Sequence, residues 1–400
     1  MPVSVVESSY APSHALANVR GSAIRDLLKL TEQPDVLSLA GGLPATELIP
    51  AARISESAAR ISADPAALQY TVSAGVYPCR EAVARYLGTE DPGRVLLTHG
   101  SQQALFLLAH ALVNPGDLVV VDDPVYVGAL QVFQSVRARV RALPITASGC
   151  DVDALRELLE AGERPRIVHT VSNFHNPAGV TATASTRMEL ARLSDRYGFI
   201  VVEDDPYGRL RFSGDDVEPI AAHGDRVVRL GSASKILAPA LRVGWMTGPP
   251  EVISMVELLR QGADLCGSTF SQLMVAELLD DEAWLDSHVA HVQAEYRMRA
   301  MALTNGLRRE LGQKVQFSEP EGGMFCWARM PGVDTSQLLA NAVAGGVAFV
   351  PGAAFGVEAD FSDCLRLSFS ALGPEELDEA VRRLAAASET SSISSKMCST

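Results

Sequence analysis

Lys235 stands in a segment whose residue types could support amine chemistry. Residues 231–245 read Gly-Ser-Ala-Ser-Lys-Ile-Leu-Ala-Pro-Ala-Leu-Arg-Val-Gly-Trp, between two runs typical of strands. A lysine at a strand end, close to apolar groups and other cations, has a lowered pKa and can form a Schiff base with a carbonyl compound. Ser232, Ser234 and Arg242 would then supply donors for a dianion, because a guanidinium binds phosphate through two parallel hydrogen bonds. The alternative is a solvated surface lysine, and the surrounding pattern favours the reactive one.

A second candidate anion site precedes this segment. Residues 96–105 predict a strand that turns at Gly100 and an apolar-periodic helix that begins directly afterwards. The free N–H groups and the positive end of the helix dipole favour phosphate at such a helix start. Turns of this kind are common, so the meaning of this one depends on the elements around it.

The elements that must position these residues form an alternating series. Strands and helices alternate from residue 94 to residue 247, which predicts a mostly parallel sheet with helices on both faces. The candidate polar residues before Lys235 follow predicted strands, and ligands in such sheets bind at the carboxyl ends of strands. Asp204, for example, follows the strand 199–203, where a buried carboxylate needs a partner.

The bulk composition is that of a soluble globular protein. The net charge of −14 and the pI near 5.1 argue against binding to nucleic acid. The six cysteines form no C-x-x-C pair, which indicates reduced thiols and neither a disulfide framework nor a metal site. The first ten residues lack the features of a signal peptide, and no apolar run is long enough to span a membrane. We therefore expect a cytoplasmic protein whose partners include no membrane, nucleic acid or metal.

Taken in order, the motifs resemble those of fold-type-I pyridoxal 5'-phosphate (PLP) enzymes. Residues 232–245 are similar to the cofactor-lysine segment S-x-S-K-x-x-x-P-x-x-R-x-G-[WY], residues 100–103 to a phosphate loop G-S-Q-Q, and residues 176–179 to an N-P-T-G turn. The match is closest to the class I/II aminotransferase branch that contains the 2-aminoadipate and kynurenine aminotransferases, and it spans residues 20–385.

The resemblance implies a fold and an activity. The fold is α/β, of the aspartate-aminotransferase type, with a mostly parallel central sheet, helices on both faces and a smaller α+β terminal domain. The activity is that of an aminotransferase with PLP as cofactor, which moves an amino group between an L-amino acid and a 2-oxo acid. The partners are thus small molecules and, in a homodimer, a second copy of the chain.

The resemblance also implies a role for each residue that would contact the cofactor. Lys235 would hold the cofactor covalently and then move a proton as base and acid. Asp204 would pair with the protonated ring nitrogen, and Tyr207 and Asn176 would bond the ring oxygen. Tyr126 would stack on the ring. The implied phosphate donors are Ser101, Gln102, Ser232, Ser234, Arg242 and, from the neighbouring subunit of a homodimer, Tyr70.

A further set of residues would recognise the substrate. Arg366, in the stretch R-L-S-F-S, would hold the α-carboxylate through paired hydrogen bonds. Gly42, in A-G-G-L-P, would lie near that carboxylate, and Asn176 would also face the substrate. Arg25, on a helix predicted over residues 20–30, would lie beside the substrate side chain, although it could equally be a surface charge.

Several positions depart from the pattern of the branch and leave other PLP chemistry open. The departures are His175 for glutamine, Ala178 for threonine, Ala233 for the frequent phenylalanine and Ser368 for asparagine. The alternative on the same scaffold is β- or γ-elimination, replacement or cyclisation, and His175 is either a loop residue or a substrate contact. A regulator with a DNA-binding module lacks support because we expect no room for that module before residue 20. A silent binding protein lacks support because every cofactor group is present.

The pattern predicts four regions along the chain. Residues 1–55 form an N-terminal arm and part of the small domain, and residues 56–290 form the large PLP-binding domain. A long helix over residues 282–311 leads into the small C-terminal domain, residues 291–387. Residues 388–400, rich in serine and threonine, form a disordered tail.

Overall fold

The computed structural model describes residue 13, residues 35–89 and residues 91–397, with side chains described as far as residue 389. The helix predicted over residues 20–30, and Arg25 with it, lies outside these residues. Those described form a large unit around a broad sheet and a smaller unit around an antiparallel sheet.

The strands and longer helices within this part of the chain are numbered in chain order. The strands are β1 (Leu37–Ser38), β2 (Val95–Thr98), β3 (Leu118–Asp123), β4 (Arg139–Thr146), β5 (Gly149–Cys150), β6 (Ile167–Val171), β7 (Ile200–Asp204), β8 (Val227–Ser232), β9 (Gly244–Thr247), β10 (Gln316–Phe317), β11 (Phe325–Arg329), β12 (Val347–Ala348), β13 (Val350–Pro351) and β14 (Cys364–Ser368). The helices are α1 (Ala51–Ser62), α2 (Tyr77–Tyr86), α3 (Ser101–Leu112), α4 (Val127–Ser135), α5 (Val152–Glu160), α6 (Ala184–Tyr197), α7 (Pro250–Ala263), α8 (Thr269–Asp280), α9 (Glu282–Leu311), α10 (Thr335–Ala344) and α11 (Pro374–Met397).

The large sheet has the strand order β2-β9-β8-β7-β6-β3-β4-β5. Strands β8, β7, β6, β3 and β4 run parallel, whereas β9 and β5 are antiparallel to their neighbours. The predicted, mostly parallel sheet is therefore confirmed. Strands β3 and β6 are buried along their whole length, which explains the apolar run Leu118–Val121 without alternation in β3.

Helices cover both faces of this sheet. On one face, α3, α4 and α7 pack around Leu105, Phe133 and Val256. On the other face, α5 and α6 pack around Leu155 and Leu190. Because side chains on both faces are packed, a ligand can reach the large unit at the carboxyl ends of its strands, where the loops leave the sheet.

The smaller unit is an antiparallel sheet, β10-β11-β14-β13, packed against α9, α10 and α11. Its core includes Leu303, Leu338, Leu367 and Leu377, one from each helix and one from β14. Strand β1 pairs in parallel with β12, which attaches the start of the described chain to this unit. The 30-residue helix α9 joins the two units, at the bounds that the sequence predicted.

Residues 347–351 form two short strands, β12 and β13, which pair with different partners, β1 and β14. One prediction differs from the structure. The tail expected to be disordered from residue 388 instead continues helix α11 to Met397. The physical reason is that no glycine or proline follows Pro374 in this helix, so no residue forces it to end.

Candidate active site

A cavity of about 490 Å³ opens at the carboxyl ends of the parallel strands, between the large sheet and the smaller unit. It brings together residues that are hundreds of positions apart in the chain. Of the residues predicted from the sequence, the following line it: Gly42, Ser101, Gln102, Tyr126, Asn176, Asp204, Tyr207, Ser232, Ser234, Lys235, Arg242 and Arg366. Tyr70 does not line it, and Arg25 lies outside the described residues.

Lys235 follows β8 and is held inside this cavity. Its Nζ donates a hydrogen bond to the backbone carbonyl of Gly42 at 2.9 Å. Burial, together with the nearby cations Arg366 and Arg242, lowers the pKa of Lys235 to about 8. A substantial fraction of the amine is therefore neutral near pH 8, which is the form that attacks a carbonyl carbon or accepts a proton.

The phosphate end of the cavity is a close-packed backbone cradle. Helix α3 begins immediately after Gly100, whose φ of 82° suits glycine. A Cβ on Gly100 would lie 2.9 Å from Nη2 of Arg242, and a Cβ on Gly244 would lie 2.6 Å from the Gly100 backbone. Arg242 donates to the carbonyl of His99 at 2.7 Å. The glycines thus let a guanidinium and free helix N–H groups converge on one point, as an anion requires.

Two serines complete the cradle. The Ser232 hydroxyl donates to the Ser234 hydroxyl at 2.8 Å and accepts from the Ser234 backbone N–H at 3.1 Å. The turn after β8 therefore presents both hydroxyls to the same side as Lys235. Three kinds of donor meet there: hydroxyls, helix N–H groups and a guanidinium.

The ring of Tyr126 is fixed at the cavity wall by Gln102. Its hydroxyl donates to Oε1 of Gln102 at 3.0 Å, while Nε2 of Gln102 donates to the carbonyl of Gly128 at 3.0 Å. The side chain of Gln102 is thus engaged with Tyr126 and leaves its backbone N–H for an anion. A Cβ on Gly128 would lie 2.6 Å from the Tyr126 ring, so the residue there must be glycine. Tyr126 is held where an aromatic ligand ring could stack.

Asp204, at the end of β7, is buried and lines the cavity. Its Oδ1 has no hydrogen-bond partner within the described part of the protein. A buried carboxylate oxygen without a donor is costly, so the geometry calls for a ligand that brings an N–H to this point. The protonated ring nitrogen of PLP is such a donor. The neighbouring Asp205 binds Arg229 at 2.7 Å instead, which agrees with the choice of Asp204.

Arg366, on β14, forms the opposite wall. Its Nη1 donates to Oδ1 of Asn176 at 2.8 Å, and its Nη2 donates to the carbonyl of Ala40 at 2.6 Å. The guanidinium lies over the ring of Phe325, 4.2 Å from its centroid. Burial lowers the pKa of Arg366 to about 10, because both of these acceptors are neutral and the charge is desolvated. A substrate carboxylate would supply the missing negative charge.

Tyr207 lies between these two walls. Burial raises the pKa of Tyr207 to about 12, and the Arg366 charge and a hydrogen bond with Asn176 act in the opposite direction. Its phenol is therefore protonated at neutral pH and can donate to a ligand oxygen. Asn176 contacts both Arg366 and Tyr207, so it connects the substrate side of the cavity with the cofactor side.

His175, whose role the sequence left open, points away from the cavity. The Ala178 backbone N–H donates to Nδ1 of His175 at 3.2 Å, so Nε2 carries the proton and donates to Oδ2 of Asp122 at 3.1 Å. The side chain is buried and does not line the cavity. His175 therefore fastens the turn that carries Asn176 to the end of β3, and it makes no substrate contact.

Asp123 makes a set of contacts that the sequence gave no signal for. Its two carboxylate oxygens accept the backbone N–H groups of Val357, Glu358 and Ala359 at 3.0, 2.9 and 2.8 Å. The loop held in this way also carries Phe355, whose ring lies 5.2 Å from the Arg366 guanidinium. Asp123 thus connects the end of β3 in the large unit to the surroundings of Arg366 in the smaller one.

The fold and this cavity define a class: PLP-dependent enzymes with the aspartate-aminotransferase type of fold. The sequence profile of the family described as Aminotransferase class I and II matches residues 34–384. The aromatic-amino-acid aminotransferase 1 of Thermococcus litoralis is 40% identical, with 93% of each chain covered. The 2-aminoadipate transaminase of Thermus thermophilus is 38% identical, covering 92% of this chain and 93% of the relative.

Comparison of structures gives the same result. A crystal structure of Pyrococcus horikoshii kynurenine aminotransferase, in complex with PMP, is 38% identical and superposes with a TM-score of 0.90 over 95% of this chain and 97% of that one. The chain belongs to the class I and II aminotransferase family. It is a PLP-dependent transaminase that moves an amino group between an amino acid and a 2-oxo acid, so the predicted family, fold, cofactor and activity are confirmed.

Proposed function

We propose that Lys235, Asp204 and Arg366 carry the reaction in this chain. The observation that supports this assignment most directly is the buried amine of Lys235, whose pKa is lowered to about 8 inside the cavity that the other two residues line. PLP, when bound, accepts the electrons released at the substrate's Cα. The roles of the surrounding residues follow from their positions.

Lys235 would act as the mobile base and acid. When Nζ is not covalently bound, it could take the proton from the substrate's Cα as a base and give it up again as an acid. Its hydrogen bond to the Gly42 carbonyl, 2.9 Å long, holds the free amine within the cavity. Asp204 would hold the proton on the ring nitrogen, because its free oxygen faces the cavity.

Arg366 would determine which bond at the substrate's Cα is broken. A bidentate bond to the α-carboxylate would hold the substrate in one rotation about its Cα–N bond. That rotation would decide which Cα bond is broken. Arg366 donates to Asn176 at 2.8 Å, and Asn176 is the proposed partner of the cofactor's ring oxygen. This contact would therefore link the position of the substrate carboxylate to that of the cofactor.

We propose further that the active unit is a homodimer in which Tyr70 completes the partner's phosphate site. Tyr70 is 79% exposed and stands among other exposed apolar side chains, including Leu68, Val72 and Tyr77. The Thr269 hydroxyl donates to the Gln69 carbonyl at 2.6 Å and so fixes this segment beside the start of α8. A concentrated apolar surface of this kind is typical of a protein interface.

A mixing experiment tests this arrangement. Lys235→Ala and Tyr70→Ala protomers, each inactive alone, are combined and allowed to exchange, and transaminase activity is measured. Heterodimers should recover activity because one of their two sites contains both native residues. If exchange is proven by mass and no activity returns, the sites are not shared.

The substrates we propose are aromatic amino acids and 2-aminoadipate. Relatives named for these donors cover more than nine-tenths of the chain. Leu43, Tyr126 and Phe325 give the described cavity an apolar wall for an aromatic side chain. A second carboxylate would need a further cation, and the proposed source is Arg25. We place the enzyme in the cytoplasm, supported by its described cysteines, which are all free thiols.

Peptide mapping tests the lysine assignment independently of activity. The cofactor-bound enzyme is reduced with borohydride and digested, and the cofactor-labelled peptide is identified by mass spectrometry. The label should fall on Lys235 and be lost in Lys235→Ala, whereas the exposed Lys314 provides the control in Lys314→Ala. A label on another lysine would contradict the assignment. In parallel, release of a 2-oxo acid together with conversion of the cofactor to its amine form, without free ammonia, distinguishes transamination from elimination or cyclisation.

A further inference from the structure

We propose that His169 is a positioning residue that holds the Asp204 carboxylate in the orientation needed to bond the cofactor's ring nitrogen. This inference rests on the role of Asp204 proposed above. His169 does not line the cavity, and its position within β6 gave no signal in the sequence. It stands behind Asp204, on the neighbouring strand of the sheet.

The contact joins two buried side chains. Nε2 of His169 lies 3.4 Å from Oδ2 of Asp204, and the residues are only 1% and 3% exposed. Neither His169 Nε2 nor Asp204 Oδ1 has a hydrogen-bond partner within the described residues. The imidazole nitrogen thus lies beside Oδ2 of Asp204, and Oδ1 is left for a ligand.

The sheet register explains why the two residues meet. Strands β6 and β7 are parallel neighbours, with His169 opposite Val202 and Val171 opposite Asp204. Side chains two positions apart on a strand share a face, so His169 and Asp204 lie diagonally on the face that α4 covers. The ring of Phe133, on α4, packs edge-to-face against His169 with centroids 5.9 Å apart. A polar ring in this apolar layer needs a polar partner, and the carboxylate of Asp204 lies within 3.4 Å of it.

The proposed contact needs an imidazole that carries a proton on Nε2. That N–H points at Oδ2 and opposes rotation of the carboxylate about the Cβ–Cγ bond. Oδ1 is thereby kept towards the cavity, where it can accept from a proton-bearing ring nitrogen. Without the donor, the carboxylate is free to turn away from that position. The present 3.4 Å separation is long for a hydrogen bond, and such contacts shorten when a ligand draws the carboxylate into place.

Other titratable groups also face Asp204. They are the phenols of Tyr126 and Tyr207, and burial raises the pKa of both, so they stay neutral at the pH of an assay. Neither has a hydrogen bond to Asp204 among the contacts described: the Tyr126 hydroxyl donates to Gln102, and Tyr207 bonds Asn176. His169 is thus the group that sets the orientation of this carboxylate from behind.

The chain contains a matched control pair. His175 and Asp122 are also a buried histidine and a strand-end carboxylate, with Nε2 and Oδ2 3.1 Å apart. Oδ2 of Asp122 accepts a second hydrogen bond, from the Val171 backbone N–H at 3.2 Å, and this pair does not line the cavity. Loss of His175 should therefore affect the stability of the protein without changing the protonation of the cofactor ring.

The experiment uses holoenzyme loaded with PLP that carries ¹⁵N in the ring, so that NMR reports directly whether the ring nitrogen is protonated. His169→Phe should lower the pH midpoint of ring-nitrogen deprotonation by about one unit, which corresponds to about tenfold in proton affinity. Cofactor affinity, measured by dialysis, should fall by a similar factor. His169→Gln should restore both values towards the native ones, since its side-chain amide can reach the position of Nε2. His175→Phe should leave the midpoint unchanged.

A further comparison keeps the test valid if the phenylalanine variant fails to fold. His169→Asn has a polar side chain like His169→Gln, but it is one methylene shorter and does not reach Asp204, so its midpoint should be lowered. Equal, native-like midpoints in all His169 variants would overturn the inference. Asp204→Asn is measured alongside: if it too leaves the midpoint unchanged, the proposed role of Asp204 itself is wrong. A change in Asp204→Asn alone would contradict only the role of His169.

Discussion

The phosphate end and the substrate end of the cavity are assembled in different ways. The phosphate end comes from two short segments, residues 100–102 after β2 and residues 232–242 between β8 and β9, and β9 lies between β2 and β8 in the large sheet. The substrate end depends on residues 40–43, Asn176 and Arg366, which meet only where the two units join. Within one subunit, we therefore expect cofactor affinity to depend on the large unit alone, and substrate recognition to depend on how the two units fit. Substitutions at the two ends should affect different constants.

The largest effect is expected at Lys235, which both ends contact. Lys235→Ala should lower kcat by at least about a thousandfold, because general acid–base catalysis and covalent attachment are both lost. PLP should still bind noncovalently through the phosphate cradle, as equilibrium dialysis can measure. Lys314→Ala is the control and should behave as the native enzyme. Complete loss of cofactor binding in Lys235→Ala would show that the cradle does not act by itself.

Arg366→Gln should separate the two ends most clearly. Removing a buried cation that pairs with the substrate carboxylate should lower kcat/KM by about a hundredfold, since truncation of such pairs is strongly unfavourable. Cofactor affinity should change by less than about twofold, because Arg366 does not belong to the cradle. Steady-state kinetics and cofactor dialysis on the same preparation give both numbers. Equal losses in both would mean that the ends are not independent.

Arg242→Ala should produce the opposite result. A charge-assisted hydrogen bond to phosphate is worth about 1.5–3 kcal/mol, so the cofactor dissociation constant should rise about ten- to a hundredfold. At saturating PLP, the KM for the amino acid should remain near the native value. If Arg242→Ala instead raised KM and retained cofactor affinity, Arg242 would belong to the substrate end and not to the phosphate end.

Arg25→Ala should have a smaller effect, confined to one class of substrate. If Arg25 pairs with a second carboxylate, kcat/KM for glutamate or 2-aminoadipate should fall about tenfold or somewhat more, while values for apolar donors change far less. The measurement is a donor screen under one set of conditions. Equal losses for both classes, or none for either, would remove Arg25 from the substrate end.

The smallest effect concerns the pH at which Lys235 loses its proton. Its pKa is lowered to about 8, chiefly by burial and then by Arg366 and Arg242, so the neutral amine accumulates as the pH rises through about 8. In cofactor-free enzyme, acetylation of Lys235 should therefore rise with that midpoint. Arg366→Gln should raise the Lys235 midpoint more than Arg242→Ala does. The reverse order would show that the phosphate end controls the amine.

The same contrast explains which parts of the site were predictable from the sequence. The phosphate end could be predicted because its donors are neighbours in the chain: a glycine before a helix and serines around a lysine leave a local pattern. The resemblance assigned the ring-nitrogen role to Asp204, whose neighbour Asp205 instead binds Arg229. Such signals need no knowledge of the fold.

Contacts between distant segments left no comparable pattern. Asp123 binds N–H groups more than 230 positions away, and any residue type can supply a backbone N–H. The sequence did not indicate a role for His169, because its contact with Asp204 depends on the register of β6 against β7. His175 was ambiguous because both a loop and a substrate contact fit its position, and only the contact with Asp122 decided between them.

One feature of the substrate end bears on how this enzyme could evolve. The acceptors that hold Lys235 and Arg366 are the backbone carbonyls of Gly42 and Ala40, and no substitution can remove a backbone carbonyl. Gly42 itself is restricted, because a Cβ there would lie 2.8 Å from an aromatic ring of the smaller unit. The next residue, Leu43, is 61% exposed at the mouth of the cavity. Selection for a new substrate can therefore vary position 43 while both cations keep their places.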